Sequence, residues 1–317
     1  MRQSARYIPH VLVLSFAAWC AYALRGDLAQ VSLISVLRAW DLIALAALLS
    51  MLNYVLRIIR WRSYLARLGH PLGFRFAALT FIAGFAYTLS PGKVGEMVRA
   101  RYYLPLGVPL PKTAAAFFAE RLLDLVAMVV LAALLFAGSQ TYRGAIAGAA
   151  ALVAVALAVF AFVPWEAVTS RLKAIPAIPA LLRKGLVGAS CALAATRPLL
   201  RPAPLLFGFA IALAAWGLEG VGLSVLTGMA PGVHVSLPTA VGVYSVAVLI
   251  GGLSFLPGGL GSTEAIMTTL LVALGVSVGD GIVLTLACRI VTLWLAVCLG
   301  WIAVLILPKP TFAAASS

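Results

Sequence analysis

Apolar runs of close to twenty residues recur along this chain, roughly at 8–24, 40–59, 113–138, 144–163, 203–228 and 281–307. About 20 mostly apolar residues is the length of a helix that crosses a bilayer. Inside a bilayer every backbone N–H and C=O must be bonded within the protein, which restricts spanning segments to helices and closed barrels. The composition leaves little alternative: 63% of residues are hydrophobic and 10% are charged, against roughly 25% charged in a soluble domain. The expected fold class is an all-α polytopic membrane protein forming a single transmembrane domain over 1–317.

The net charge is +14, from 23 Lys and Arg against 9 Asp and Glu. Such a balance can mark a nucleic-acid binder. Here the basic residues lie in the short gaps between apolar runs, the placement that keeps positive loops cytoplasmic, so no nucleic-acid partner is expected. The gap 57–75 holds Arg57, Arg60, Arg62, Arg67 and Arg75 with no acid, and the gap 164–202 holds Arg171, Lys173, Arg183, Lys184, Arg197 and Arg201 against Glu166. Both gaps are expected inside a bacterial inner membrane, together with the N-terminus (Arg2, Arg6) and the C-terminus (Lys309). The gaps 25–39, 139–143 and 229–236 are expected outside. The run 8–24 reads as an uncleaved first span rather than a signal peptide, although Ala21 and Ala23 offer cleavage options. Homo-oligomerisation is left open.

Two further runs, 74–90 and 237–256, each end in a Pro-Gly pair and are followed by segments too short to cross, 95–104 and 264–276. With 57–75 inside, the segment 76–112 has to enter and leave from the cytoplasm, turning at Pro91-Gly92. By the same count 237–278 enters and leaves from outside, turning at Pro257-Gly258. The expectation is therefore about six full spans and two opposed re-entrant hairpins. Eight plain spans would put Arg99, Arg101 and Lys112 outside, against the charge rule.

The hairpins form an internal repeat. Pro91-Gly92-Lys93-Val94-Gly95-Glu96 matches Pro257-Gly258-Gly259-Leu260-Gly261-Ser262-Thr263-Glu264, with two extra residues in the second copy. Twenty-five residues separate Glu96 from Arg121 and, equally, Glu264 from Arg289. The copies cover about 75–138 and 237–307, with an odd number of spans between the hairpins. That makes the repeat inverted, an arrangement found in many transporters.

A turn at membrane depth exposes backbone N–H groups that must be buried in protein or line a wet cavity. Glycine lets the chain bend tightly and lets a ligand approach the backbone. A short helix starting after each turn would aim its positive end at the membrane centre, where an anion is favoured. Charges at this depth cost about 2.5–3.5 kcal/mol each on insertion scales, and they mark function or pairing. The candidate substrate-binding set is therefore Pro91, Gly92, Gly95, Glu96, Arg99, Glu120, Arg121 and Asp124, with Pro257, Gly258, Gly259, Gly261, Glu264 and Arg289. Glu120 and Asp124 share a helix face at i,i+4, and Arg99 and Arg101 are candidates to hold a head group. The alternative is that these charges only pin the repeats together or cap helices, the stronger reading for Glu219 beside Gly217 and Gly220. Hairpins meeting at mid-membrane favour crossed pairs, Glu96 with Arg289 or Glu264 with Arg121, over pairs within a copy.

Other site chemistry is not legible. The cysteines Cys20, Cys191, Cys288 and Cys298 form no CxxC pair, and His10, His70 and His234 are scattered; no metal or other cofactor is expected. Gly92-Lys93 lacks the first glycine and the Ser/Thr of a P-loop, and no nucleophile elbow is present. The chain is not expected to be an enzyme.

The segments LSPGKVGEMVRARYY (89–103), AERLLDL (119–125) and FLPGGLGSTEA (255–265) resemble the transmembrane region of lysylphosphatidylglycerol synthases, a flippase-like family that includes stand-alone membrane proteins. The resemblance covers about 75–290. It implies a translocase that moves lipid head groups between leaflets, in some relatives within polyprenyl-linked glycan or hopanoid contexts. The family's soluble synthase domain has no counterpart before Ser317, so translocation without synthesis is the expectation. The partner implied is a membrane lipid or lipid-linked substrate. Two other classes stand beside it: a membrane-embedded enzyme acting on a lipid phosphate, and a non-catalytic scaffold for a lipid-synthesis complex.

Overall fold

The computed structural model describes residues 39–136, 143–175, 179–230, 232 and 234–308. The expected first span, nearly all of the gap 25–39, most of 139–143 and Lys309 lie outside the described residues. The rest is mainly helical, with no strand among the described residues. In order come α1 (Trp40–Arg67), α2 (Phe74–Phe85), α3 (Arg99–Tyr103), α4 (Leu110–Ala132), α5 (Arg143–Phe162), α6 (Trp165–Ala174), α7 (Ala180–Ala194), α8 (Pro202–Leu226), α9 (Leu237–Leu253), α10 (Ser262–Ala273), α11 (Val278–Arg289) and α12 (Leu295–Ile306).

Helix α1 shows what solvent the fold is built for. Ser50, Asn53, Arg57 and Arg60 are buried at 1, 1, 5 and 0% exposure, while Leu48, Leu52, Val55 and Ile59 stand at 60, 46, 40 and 40%. Polar residues inside and large apolar residues outside invert the pattern of a soluble helix, and only an apolar surrounding makes that stable. Trp40–Arg67, Pro202–Met229 and Val278–Ile306 are each long and apolar enough to cross a membrane. A fourth candidate joins α5 to α6 through a bend of 67°. Helix α4 has spanning length but carries Glu120, Arg121 and Asp124 near its middle, so composition alone does not mark it. The chain is an all-α polytopic membrane protein.

Several element ends differ from expectation. Helix α1 continues past 59 to Arg67 because Arg57 and Arg60 are not loop charges: both point into the protein and are ion-paired there. The cytoplasmic count for 57–75 therefore rests on Arg62, Arg67 and Arg75. The gap 164–202 holds two helices, α6 and α7, which pack on each other, and α7 packs on α4. The last long helix runs on through one π turn, Ile290–Trp294, directly after Arg289. There the Thr292 carbonyl accepts the Tyr54 hydroxyl at 2.8 Å. Such single-turn bulges frequently mark functional sites.

Helix α8 packs on α1, α4 and α9, α9 also packs on α4 and α10, and α12 packs on α2. This arrangement brings the two Pro-Gly turns into direct contact. Leu89 at the first turn clusters with Leu260, Leu293 and Val297 of the second copy. A Cβ on Gly258 would fall 2.5 Å from Leu89 Cδ2 at a φ of 62, so a side chain there would be strained and would displace Leu89.

Candidate functional site

The repeat read from sequence is a repeat of backbone geometry. Ser90 and Leu256, just before each proline, have φ/ψ of −69/147 and −68/145. Gly92 and Gly258 follow at 62/14 and 62/13. The next residues, Lys93 and Gly259, both have positive φ, 56 and 66, and each donates its N–H at 2.9 Å to the carbonyl three residues back. One position thus takes a left-handed conformation in both copies, filled by glycine in the second and by lysine in the first. A non-glycine residue there carries strain of about 1–2 kcal/mol, and strain held at one residue is a pointer to function.

Beyond the turns the copies diverge. The two extra residues of the second copy place Gly261 (φ 84) as a helix start. Its N–H donates to Glu264 at 2.7 Å, closing the first turn of α10. The first copy lacks this closure and runs through a 3₁₀ stretch, Pro91–Val98, into the five-residue α3. There Gly95 N–H donates to the Ser90 hydroxyl at 2.6 Å.

The charges pair within their own copies, and the crossed pairing is not what forms. Arg289 Nε contacts Glu264 at 2.6 Å and Nη2 donates to the Gly258 carbonyl at 2.8 Å. Glu96 accepts from Arg99 at 2.8 Å and from the Thr88 hydroxyl at 3.0 Å, with Arg121 3.8 Å away. The reason is geometric. Each acid sits one turn beyond its Pro-Gly pair, and the following long helix of the same copy lies alongside it, whereas across the copies the turns meet through apolar side chains.

Around the first copy the pairs merge into a buried network. Glu120, 1% exposed, lies within 3.4 Å of four guanidinium groups, those of Arg57, Arg60, Arg99 and Arg121. Asp124 takes Arg60 at 2.6 Å and Arg121 at 3.2 Å. Aromatic faces cover the cations: Arg99 lies 3.9 Å from the Phe81 ring centroid, Arg57 5.6 Å from that of Trp216, and Lys93 5.4 Å from the same indole. Lys93 forms no salt bridge among the described residues, yet it feels the charges of Glu96, Asp124, Arg57 and Arg121. Five basic groups (Arg57, Arg60, Lys93, Arg99, Arg121) thus surround three acids (Glu96, Glu120, Asp124), leaving two positive charges in excess. The second copy, Arg289 with Glu264, is balanced.

Between the turns lies a cavity of about 290 Å³. Gly92, Lys93, Arg121 and Asp124 line it from the first copy, and Gly258, Gly259 and Arg289 from the second, with Arg57, Trp216 and Glu219 closing it. Arg121 Nε and Nη2 are buried with no hydrogen-bond acceptor in proper alignment. Asn53 donates to the Ala215 carbonyl at 2.6 Å and Ser50 to Glu219 at 2.7 Å, which fixes α1 against α8 along the cavity's flank. The other wall is apolar: Leu125, Leu253 and Leu256 line the cavity and are 37, 67 and 40% exposed.

Most of the sequence candidates converge here, though in different roles. Gly92, Arg121, Asp124, Gly258, Gly259 and Arg289 border the cavity, and Pro91 and Pro257 open the two turns. Glu96, Arg99 and Glu120 stand behind its wall in the network. Arg99, at 0% exposure, does not line the cavity, and Arg101 is exposed elsewhere. Gly95, Gly261 and Glu264 shape the turns. Sequence reading missed Arg57 and Arg60, counted as loop charges, and it passed over Lys93 and Trp216. The i,i+3 spacing of Arg57 and Arg60 at the end of an apolar run was the available signal.

The family model described as the lysylphosphatidylglycerol synthase TM region matches residues 7–300. A protein of Methanothermobacter thermautotrophicus (strain Delta H) described as a UPF0104 membrane protein is 28% identical over 286 residues, covering 82% of each chain. Matched over nearly its whole length, with both Pro-Gly turns and the charged helix between them inside the match, the chain belongs to the lysylphosphatidylglycerol synthase transmembrane-region family of membrane proteins.

Proposed function

We propose that this protein is a lipid translocase: a non-enzymatic transporter that moves a lipid with an anionic head group between the leaflets of the bacterial inner membrane. The observation that carries the reading is the shape of the charge. A cavity bordered by a cluster with a positive surplus, with Lys93 in no salt bridge among the described residues and two Arg121 nitrogens without an aligned acceptor, is walled on one side by leucines that are themselves exposed. A phosphate or similar anion fits the first feature, and an acyl or isoprenoid tail lying against Leu125, Leu253 and Leu256 fits the second. At about 290 Å³ the space is near the small end of ligand pockets, about 300–1,000 Å³, enough for a head group and too small for the tails. An uncompensated charge at this depth costs several kcal/mol unless a counter-ion enters, which favours anion entry.

The test is head-group exchange in vesicles. Purified protein reconstituted with dye-labelled phosphatidylglycerol, other phospholipids or a polyprenyl phosphate is expected to accelerate exchange for at least one anionic lipid. No acceleration across the panel would defeat the proposal. Turnover of a lipid phosphate by the same preparation would instead support the enzyme reading. The orientation has its own test in a background without native cysteines. Single cysteines near 68 and 180 are expected to react with an impermeant thiol reagent only after the membrane is opened, and those near 30 and 233 without opening.

A further inference from the structure

Two acidic side chains line the cavity, and they are held differently. Asp124 is ion-paired to Arg60 and Arg121. Glu219, 4% exposed on α8, makes no salt bridge among the described residues, and its one hydrogen bond comes from a neutral group, the Ser50 hydroxyl at 2.7 Å. The groups that act on it electrostatically are Arg57 and Tyr54 from α1, Lys93 from the first turn, Tyr244 from α9 and Cys288 from α11. None of the cations among them is within salt-bridge reach. Asp124, Glu120 and Glu96 are each paired with arginine, whereas the carboxyl of Glu219 lines the cavity with a serine hydroxyl as its hydrogen-bond partner.

The charge on Glu219 therefore enters the balance of the cavity. The first-copy cluster has two positive charges in excess, and an ionised Glu219 reduces the surplus to one. A neutral Glu219 restores it. Proton binding at Glu219 and anion binding beside Lys93 therefore strengthen each other, and by linkage the effect is reciprocal.

We propose that Glu219 is a proton-binding site coupled to head-group binding, so that the lipid anion crosses the membrane together with a proton. The proton adds to a carboxylate oxygen of Glu219 from water on the loading side. It leaves to water on the other side as the head group departs. No covalent bond to the lipid forms. This inference rests on the translocase reading and adds its energy source, the proton gradient.

The experiment has a binding arm and a transport arm. Binding of dye-labelled phosphatidylglycerol to the purified protein in detergent is expected to tighten about tenfold as the pH falls, the equivalent of ~1.4 kcal/mol. Glu219→Gln is expected to lose this pH dependence, and Glu219→Asp to keep it. If Glu219→Gln does not fold, Ser50→Ala serves: it retains the carboxyl, removes its hydrogen bond, and should move the pH at which binding changes. Binding by the unaltered protein that ignores pH overturns the proposal, and so does a full pH response in Glu219→Gln. In vesicles, acidifying the loading side should speed exchange, with proton uptake that requires the lipid. Exchange indifferent to the gradient overturns the coupling and leaves the translocase reading standing. Absence of exchange at every pH, with pH-linked binding intact, removes the translocase reading and keeps the linked site.

Discussion

Replacing Lys93 with glycine separates function from architecture more cleanly than any other single change. Lys93 sits at φ 56 and ψ 21, and the second copy has Gly259 at φ 66 in the equivalent place. Glycine there removes left-handed strain of about 1–2 kcal/mol. Against this, the added freedom of the unfolded chain costs about 0.5–1 kcal/mol. Losing the contact with the Trp216 ring, 5.4 Å away, costs about 0.5–2 kcal/mol. These effects nearly cancel, and removing a buried cation that has no salt-bridge partner among the described residues also relieves its desolvation cost, so Lys93→Gly is expected to lose no more than ~1 kcal/mol of stability and to gain where that relief is larger. Head-group exchange should nonetheless fall about tenfold or more, because a cation without a protein counter-ion is worth at least ~1.4 kcal/mol to an incoming anion. Chemical unfolding in detergent and dye-lipid exchange in vesicles read the two quantities on one preparation. The reverse change in the other copy, Gly259→Ala, should destabilise, since its Cβ meets both a positive φ and Thr263 Oγ1 at 2.6 Å. Exchange by Lys93→Gly at the unaltered rate would refute the head-group role. A stability loss beyond ~2 kcal/mol would show that the lysine is architectural.

Three further outcomes follow from the ion pairs and the contact between the turns. Glu120→Gln removes the carboxylate charge shared by four guanidinium groups and leaves Arg57 without an acid partner among the described residues; it should cost about 3–5 kcal/mol, the largest loss among single changes at the buried acids, read by unfolding in detergent. In double-mutant cycles Glu264 and Arg289 should couple by about 0.5–3 kcal/mol, while Glu96 and Arg289 should add within about 0.5 kcal/mol; coupling of the second pair would restore the crossed arrangement. Gly258→Ala should destabilise by at least ~1 kcal/mol through its φ of 62 and its approach to Leu89. Adding Leu89→Ala should recover part of the loss, and no recovery would mean that the two turns do not touch.

Much of the site was legible because membrane burial makes charge conspicuous. Glu96, Glu120, Arg121, Asp124, Glu264 and Arg289 stand out in an apolar chain, and the equal spacing of Glu96–Arg121 and Glu264–Arg289 exposed the repeat before any coordinates. The same habit of reading misplaced Arg57 and Arg60. A charge at the end of an apolar run looks like a loop residue, and whether it points to water or to Glu120 depends on a helix 60 residues away. The pairing was likewise misjudged, because the approach of two turns says nothing about which side chains meet there. Leu89, Leu260 and Leu293 fill that contact, and each arginine stays with its own acid.

What the sequence determined by itself was the solvent, the helical class and the two matching turns. These follow from local composition and from backbone rules that Pro, Gly and apolar run length impose on any chain. The division of labour between the copies was decided only in three dimensions. Arg289 uses its hydrogen bonds on Glu264 and Gly258, whereas Arg121 shares crowded carboxylates and keeps N–H groups unmatched. Lys93 holds a strained backbone beside them, and Glu219 faces the same space with only a serine hydroxyl. Net charge at a point in space is a sum over residues from six helices and the first turn, and distances between helices are not written in any local stretch of sequence.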